Sequence, residues 1–479
     1  GEKGGEILFC GSPHSFRKCK TSLTAQHLFH RKPKEKGISR SEGPALEWIM
    51  VRGAAKFTLK GVDVSIPRQR LTVIAGVSGS GKSTLINHVL GPGIRELISG
   101  VRPGGAFQTI EGVEGLERVI SVDAAPIGKN VNSTVATACG LMDRIRNLFA
   151  ALPESRFRGY TPGYFSYKTG NGRCGECGGT GRISEENRFF PDAAGTCTIC
   201  SGKRYSQQVL EVCFKGKNID QVLNMTIRRA AEFFANQKGI LPVLQSLMET
   251  GLGYIRLGEP AQNLSGGESQ RMKLSTAMRH SQKGHGLYLL DEPTAGLHPQ
   301  DVTVLLRCIQ RIRDRGNTVV VIEHNPEVIR SADWVIELGP GGGPNGGEVV
   351  FSGPPGKLLH SEHSAAAPYL RDDDPHPPPG HERGVTETPA CICVRGAAEK
   401  NLRSVDAVLR RHALTVIRGT TGSGKTALAV DTIFRECRRR YIEAISFSSG
   451  NIDDRLPRTR LTYTENLPPA ARINVRPFT

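Results

Sequence analysis

Short apolar runs broken by glycine-rich or charged stretches recur along the chain, the pattern of buried strands feeding exposed loops. Leu71–Ala75 is one such run. It opens directly into Gly76-Val77-Ser78-Gly79-Ser80-Gly81-Lys82-Ser83-Thr84, and a helix is predicted from about Lys82 to Leu90. Leu287-Tyr288-Leu289-Leu290 is a second run and ends on Asp291-Glu292. Asn317–Ile322 is a third and ends on Glu323-His324-Asn325. No apolar run approaches the ~18 residues of a membrane helix, so no membrane partner is expected.

The chain repeats itself. VRGAAKFTLKGVDVSIPRQRLTVIAGVSGSGKS at 51–83 returns as VRGAAEKNLRSVDAVLRRHALTVIRGTTGSGKT, beginning 343 residues later at Val394. GGEILFCGSP at 4–13 returns as GGEVVFSGPP at 346–355. The end of a unit therefore precedes each beginning. The expected organisation is the end of one module over 1–30, a basic linker over 31–45, a complete module over 46–360, a proline-rich linker over 361–390, and the opening of a further module over 391–479. Both linkers are rich in breakers and charge, a composition that resists packing. The chain starts at Gly1 without a secretory pattern, and it reads as an internal piece of a longer tandem array.

Composition narrows the partners. Against 46 Asp+Glu stand 63 Lys+Arg, a net charge of +17 in 479 residues, which suits a polyanion or simply a basic surface. The 12 cysteines are too few for a disulfide scaffold, and only four form CxxC pairs. A reducing, cytoplasmic setting is expected.

The chemistry lies where the runs end. Gly76–Ser83 fits GxxxxGK[ST]. Its glycines let backbone N–H groups cradle phosphates, Lys82 reaches the outer phosphates, and Ser83 suits Mg²⁺. Asp291, at a strand end, suits the same Mg²⁺, and Glu292 could polarise an attacking water. His324 could contact a terminal phosphate, although a lone histidine there is more often structural. Leu264 is followed by Ser265-Gly266-Gly267-Glu268, small residues opening a helix toward an anion. In this order the motifs match the ATP-binding-cassette (ABC) ATPase arrangement, in which the signature of one cassette closes over ATP held by another. A second P-loop runs Gly419-Thr420-Thr421-Gly422-Ser423-Gly424-Lys425-Thr426. Ser265–Glu268 could close over nucleotide at Lys425, whereas a signature for Lys82 would lie upstream of Gly1.

Between the P-loop and the signature stand Cys174, Cys177, Cys197 and Cys200. Two CxxC turns at this spacing suit four thiolates around a structural Zn²⁺. Arg173, Arg182, Arg188, Lys203 and Arg204, with Phe189, Phe190 and Tyr205, lie around them. Basic groups beside aromatic rings suit DNA, and a small core with a solvated basic face suits them equally. Arg173, Arg188, Lys203 and Arg204 are the candidate DNA contacts.

FSYKTGNGRCGECGGTG (165–181), KGKNIDQVLNMT (215–226), GLGYIRLGEPAQNLSGGESQR (251–271), LDEPTAGLH (290–298) and VVVIEHN (319–325) together resemble the UvrA family, the damage-recognition ATPases of bacterial nucleotide excision repair. The resemblance covers nearly the whole chain outside the linkers. It implies an α/β ABC-type ATPase fold with a helical, zinc-bearing insertion, here at about 150–255. Residues 46–360 resemble a second cassette. Residues 391–479, with DTIFRECRRRYIEAIS at 431–446, resemble the opening of a first one. It further implies ATP, Mg²⁺ and Zn²⁺, damaged double-stranded DNA, pairing with adjacent cassettes or in a UvrA-like dimer, and a UvrB-like partner whose binding region is expected to lie beyond residue 479. The family's VDQ-x-PIGR stretch departs here to Val122-Asp123-Ala124-Ala125-Pro126-Ile127-Gly128-Lys129, and Val475 stands at the matching glutamine position of the last piece. Ala and Val cannot hydrogen-bond a nucleotide-linked water, so slow hydrolysis is expected. A weakly hydrolysing DNA-binding scaffold and, less consistent with the cysteines, a transporter's ATP-binding subunit are the alternatives.

Overall fold

The computed structural model describes residues 4–29, 47–101, 104–123, 127, 133–184, 194–280, 285–371, 391–449, 458–471. Ala124, Arg188, Phe189, Phe190, Val475, all of 31–45 and residues 372–390 of the second linker lie outside them. The expected linker starts too early at 361: Ala367–Arg371 is a helix whose Ala367 and Leu370 are buried, Leu370 in the same core as Val328 and Val335.

The strands in chain order are β1 (Trp48–Ala54), β2 (Val62–Pro67), β3 (Leu71–Gly76), β4 (Thr109–Glu111), β5 (Arg118–Val122), β6 (Arg182–Ser184), β7 (Ala194–Thr196), β8 (Gly286–Asp291), β9 (Thr318–Ile322), β10 (Trp334–Gly339), β11 (Glu348–Gly353), β12 (Cys391–Ala397), β13 (Val405–Arg410) and β14 (Tyr463–Glu465). A six-stranded sheet of order β11-β10-β3-β9-β8-β5 forms the centre. It is parallel except for β11. Central parallel strands are covered on both faces, so they read as unbroken apolar runs rather than alternating ones. This is why Leu71–Ala75 and Thr318–Ile322 are visible in the sequence, and every residue of β9 is buried.

The helical segment after β3 begins at Lys82 and runs on to Ile98, past the expected stop near Leu90. Gly91-Pro92-Gly93 look like breakers, but the segment changes there from wide π turns over Leu85–Leu90 to an α-helix over Gly91–Ile98, and Pro92 falls in the first turn of that α-helix, where its missing N–H costs little. Gly93 is needed for close packing: a side-chain carbon there would lie 2.6 Å from Phe107. This helix and the antiparallel sheet β2-β1-β4 enclose one core on one sheet face. Helices Gly266–His280 and Pro299–Asp314 enclose another on the opposite face. A separate helical core runs from Val135 to Met272, and the β6–β7 hairpin with its four cysteines is a small satellite of it.

The sequence repeat is also a structural one. β12 pairs with β13 as β1 pairs with β2, with Val394 opposite Ala407 where Val51 stands opposite Val64, and with the same register break before Ala397 and Ala54. One part differs. Residues 414–418 correspond to β3 but pair with no strand among the described residues. Leu414 is 93% and Val416 73% exposed, whereas Leu71 and Val73 are fully buried between β9 and β10.

Candidate nucleotide and metal sites

The carboxyl ends of β3, β8 and β9 converge. Beyond β3 the loop turns at Gly76 (φ 134), where a side-chain carbon would sit 2.1 Å from Leu338 O, so only glycine fits. Ser78, Gly79, Ser80 and Gly81 continue the loop into Lys82, Ser83 and Thr84 at the head of the helix. Lys82 Nζ donates to the carbonyls of Gly76 and Val77 at 2.9 and 2.7 Å. Burial makes its charge harder to hold, and Glu292 and Asp291 partly restore it.

Asp291 closes β8. Burial raises its carboxyl above the usual range, opposed by Asn87, whose Nδ2 donates to it at 3.1 Å. Glu292 follows with φ 44, an uncommon value for a side chain of this kind. The turn leaves its carboxylate half-exposed, with Oε1 3.4 Å from His324 Nε2. His324 is brought there by Glu323. That buried carboxylate accepts from the N–H groups of Thr294, His324 and Asn325 at 2.8, 3.0 and 3.2 Å, and so ties the loop after β8 to the loop after β9.

The signature begins with a reciprocal cap. Ser265 N–H donates to Glu268 Oε2 at 2.8 Å, and Glu268 N–H donates to Ser265 Oγ at 3.3 Å. Gly266 and Gly267 open the helix. Gln270 Nε2 donates to Asp291 O at 2.9 Å, joining the signature helix to the acidic strand end. Of the signature residues, Glu268 acts through its charge on Lys425 of the second P-loop, together with Asp301 and Arg271, whereas the acids acting on Lys82 are Glu292 and Asp291. Asp301 also accepts from Thr421 N–H at 3.1 Å, and from its hydroxyl. Within Gly419–Thr426, Lys425 Nζ donates to Gly419 O and Thr420 O at 2.8 and 2.9 Å, as Lys82 does in its own loop. Gly422, Ser423 and Gly424 take the places of Gly79, Ser80 and Gly81.

Cys174, Cys177, Cys197 and Cys200 are all buried, with their sulfurs within 4.8 Å of one another. The Cys174–Cys197 and Cys177–Cys200 separations are 4.0 and 3.6 Å. Four thiolates about 2.3 Å from a tetrahedral zinc stand about 3.8 Å apart, so the cluster fits Zn²⁺. Burial opposes ionisation of Cys177, but N–H donors from Gly181 and Gly179 outweigh it and bring the thiol to about 7. Around the cluster Arg173 and Lys203 are exposed, and the half-buried Arg204 lies 5.3 Å over the Tyr167 ring. Tyr205 corrects the sequence expectation. It is 1% exposed and its hydroxyl donates to Phe165 O, so it is a core residue and not a stacking surface.

Sequence reading missed Asn87, Gln270, Glu323 and Asp301. Each is a common polar residue in an ordinary helix or loop, and only the fold gives it a partner.

A parallel sheet with a phosphate-type loop after β3, an acidic pair after β8 and a signature helix defines an ABC-type ATPase cassette with an inserted helical domain. No family model matches the chain. It is 44% identical over 375 residues to UvrABC system protein A of Staphylococcus aureus (strain COL), a match covering 78% of this chain and 39% of that protein. The proteins of the same name from Clostridium perfringens and Neisseria meningitidis are also 44% identical, over 372 and 373 residues. The crystal structure of UvrA2 from Deinococcus radiodurans matches with TM-score 0.71 and 42% identity, covering 78% of this chain and 44% of that one. Over the matched residues the chain is a relative of UvrABC system protein A. It spans about two-fifths of the length of the curated relatives it matches. Among the described residues no helix is long and apolar enough to cross a membrane.

Proposed function

We propose that the chain acts in UvrA-type DNA-damage recognition. It binds magnesium-ATP at Gly76–Ser83 and at Gly419–Thr426, hydrolyses ATP with Glu292, and holds damaged double-stranded DNA partly through its cysteine module. The convergence of Lys82, Asp291, Glu292 and His324 on one sheet edge carries this reading. Magnesium-ATP supplies the scissile phosphoryl bond. Lys82 would exchange its two carbonyl partners for phosphate oxygens, and Ser83 and Asp291 offer oxygens to the Mg²⁺. Glu292 is placed to take the proton of the attacking water. His324, 3.4 Å away, orients that carboxylate and can meet the terminal phosphate.

Cys174, Cys177, Cys197 and Cys200 would hold zinc as a structural ion, because four protein ligands leave no open position. Arg173, Lys203 and Arg204 are proposed to meet the DNA backbone, and Arg188 joins them on sequence grounds. Adjacent cassettes, a second UvrA-like subunit and a UvrB-like protein are the proposed protein partners. Ala124 and Val475, standing where the family carries glutamine, support slow hydrolysis, and a DNA-binding scaffold is the limiting case of the same reading. Phosphate release measured with and without damaged duplex tests it. Slow, magnesium-dependent release that Ala124→Gln raises by about tenfold is expected. DNA binding with no ATP binding at all would contradict it.

A further inference from the structure

The two P-loops are held from behind by matching glycine pairs, one of which comes from the far end of the chain. Behind Gly76–Ser83, Gly347 N–H donates to Ser80 O at 3.1 Å, and Lys60 N–H donates to Gly347 O at 3.1 Å. Behind Gly419–Thr426, Gly5 N–H donates to Ser423 O at 3.0 Å, and Arg403 N–H donates to Gly5 O at 2.9 Å. A side-chain carbon on Gly347 (φ 85) would lie 1.7 Å from Thr58 O, and one on Gly5 (φ 97) 1.9 Å from Asn401 O. The preceding glycines match as well: carbons on Gly346 and Gly4 would each lie 3.0 Å from a serine Cα, that of Ser80 or Ser423. An ion pair repeats beside them, Lys60 with Glu348 at 3.0 Å and Arg403 with Glu6 at 3.1 Å.

A P-loop can point its N–H groups inward at phosphates only if its carbonyls are turned outward and satisfied there. The glycine pair does this for the serine in the middle of each loop, and no residue with a side chain can approach so closely. We propose that Gly4, Gly5 and Glu6 are positioning residues for a nucleoside triphosphate at Gly419–Thr426. On this view residues 4–29 and 391–449 act as one nucleotide-binding half rather than as parts of separate cassettes. The inference rests on the reading of Gly419–Thr426 as a nucleotide loop.

The test uses the full chain carrying Lys82→Ala, which leaves Lys425 as the remaining P-loop lysine, with magnesium-ATP binding followed by equilibrium dialysis. Adding Gly5→Val is expected to weaken binding at least about tenfold, because the strained close approach is lost. Adding Glu6→Arg, on an exposed pair that does not threaten folding, is expected to weaken it a few-fold, and Glu6→Arg with Arg403→Glu to restore it. Amide exchange at Gly5 and Arg403 reads the contact without nucleotide and should quicken in Glu6→Arg and recover in the charge swap. Binding unchanged by Gly5→Val, or a charge swap that restores neither binding nor exchange, overturns the positioning role. An intact exchange response in a Lys82→Ala chain that binds no ATP overturns the nucleotide reading of Gly419–Thr426 instead.

Discussion

Glu292 combines an uncommon backbone conformation with a half-exposed carboxylate facing His324. A strained residue at a strand end supports the proposed role in chemistry. Glu292→Gln keeps the shape and removes the proposed base. Steady-state assays should show turnover falling by at least about 100-fold, with ATP affinity preserved. Cys177→Ser should release zinc and loosen the β6–β7 hairpin, which metal analysis and local amide exchange would report together. That Lys82, Asp291 and Glu292 stand at or just beyond strand ends and that four cysteines cluster was legible in the sequence, because those positions are written in spacing along the chain. Asn87 and Glu323 were not, since Asp291 lies 204 residues from the one and Thr294 29 residues from the other, and the side chains alone do not name them. Tyr205 was misread because composition gives ring identity but not burial.

Elements were legible where both sheet faces are covered and hidden where context overrides local preference. The apolar runs of β3, β8 and β9 announced themselves, whereas the helix through Gly91-Pro92-Gly93 did not. The segment 414–418 has the same pattern as β3 without its flanking strands, and leaves Leu414 and Val416 exposed. Leu414→Ser with Val416→Thr should therefore change stability by less than about 0.5 kcal/mol in denaturant melts, whereas Leu71→Ser should cost about 3 kcal/mol or more. The helix Arg435–Ser449 is tied to the segment before β14 by Glu436. Glu436 is 3% exposed and receives Arg439 at 2.6 Å, Arg440 at 3.1 Å and the Thr459 hydroxyl at 2.7 Å. The Arg439 hydrogen bond is the largest influence holding its carboxyl down at about 2, against an ordinary 4.5. The folded form thus favours the ionised carboxylate. Its stabilisation is complete above the ordinary value and is lost as pH falls from 4.5 toward 2. Thermal melts across that window should show the loss in the wild type, and Glu436→Gln should flatten it.

At the scale of the whole molecule, the repeat sets two P-loops into one chain, and Glu268 of the signature acts through its charge on Lys425. Asp301 bridges the two modules by accepting from Thr421. This arrangement was only partly legible. The 343-residue offset revealed two copies of one unit, but which loop the signature would face depends on how the copies dock. Part of the basic excess stands at Arg173 and Lys203, both exposed beside the cysteine cluster. Lys203→Ala should weaken duplex binding alike for all sequences and reduce the slope of log affinity against log salt by about 1. On the proposed mechanism, the strand ends bearing Lys82, Asp291 and Glu292 cleave ATP. Single-turnover release of labelled phosphate from magnesium-ATP, in the wild-type chain and in Glu292→Gln, tests it most directly. Slow release is expected in the wild type and at least about 100-fold less in the variant, with ATP bound to both. Equal release from the two proteins, or no ATP bound to either, would contradict it.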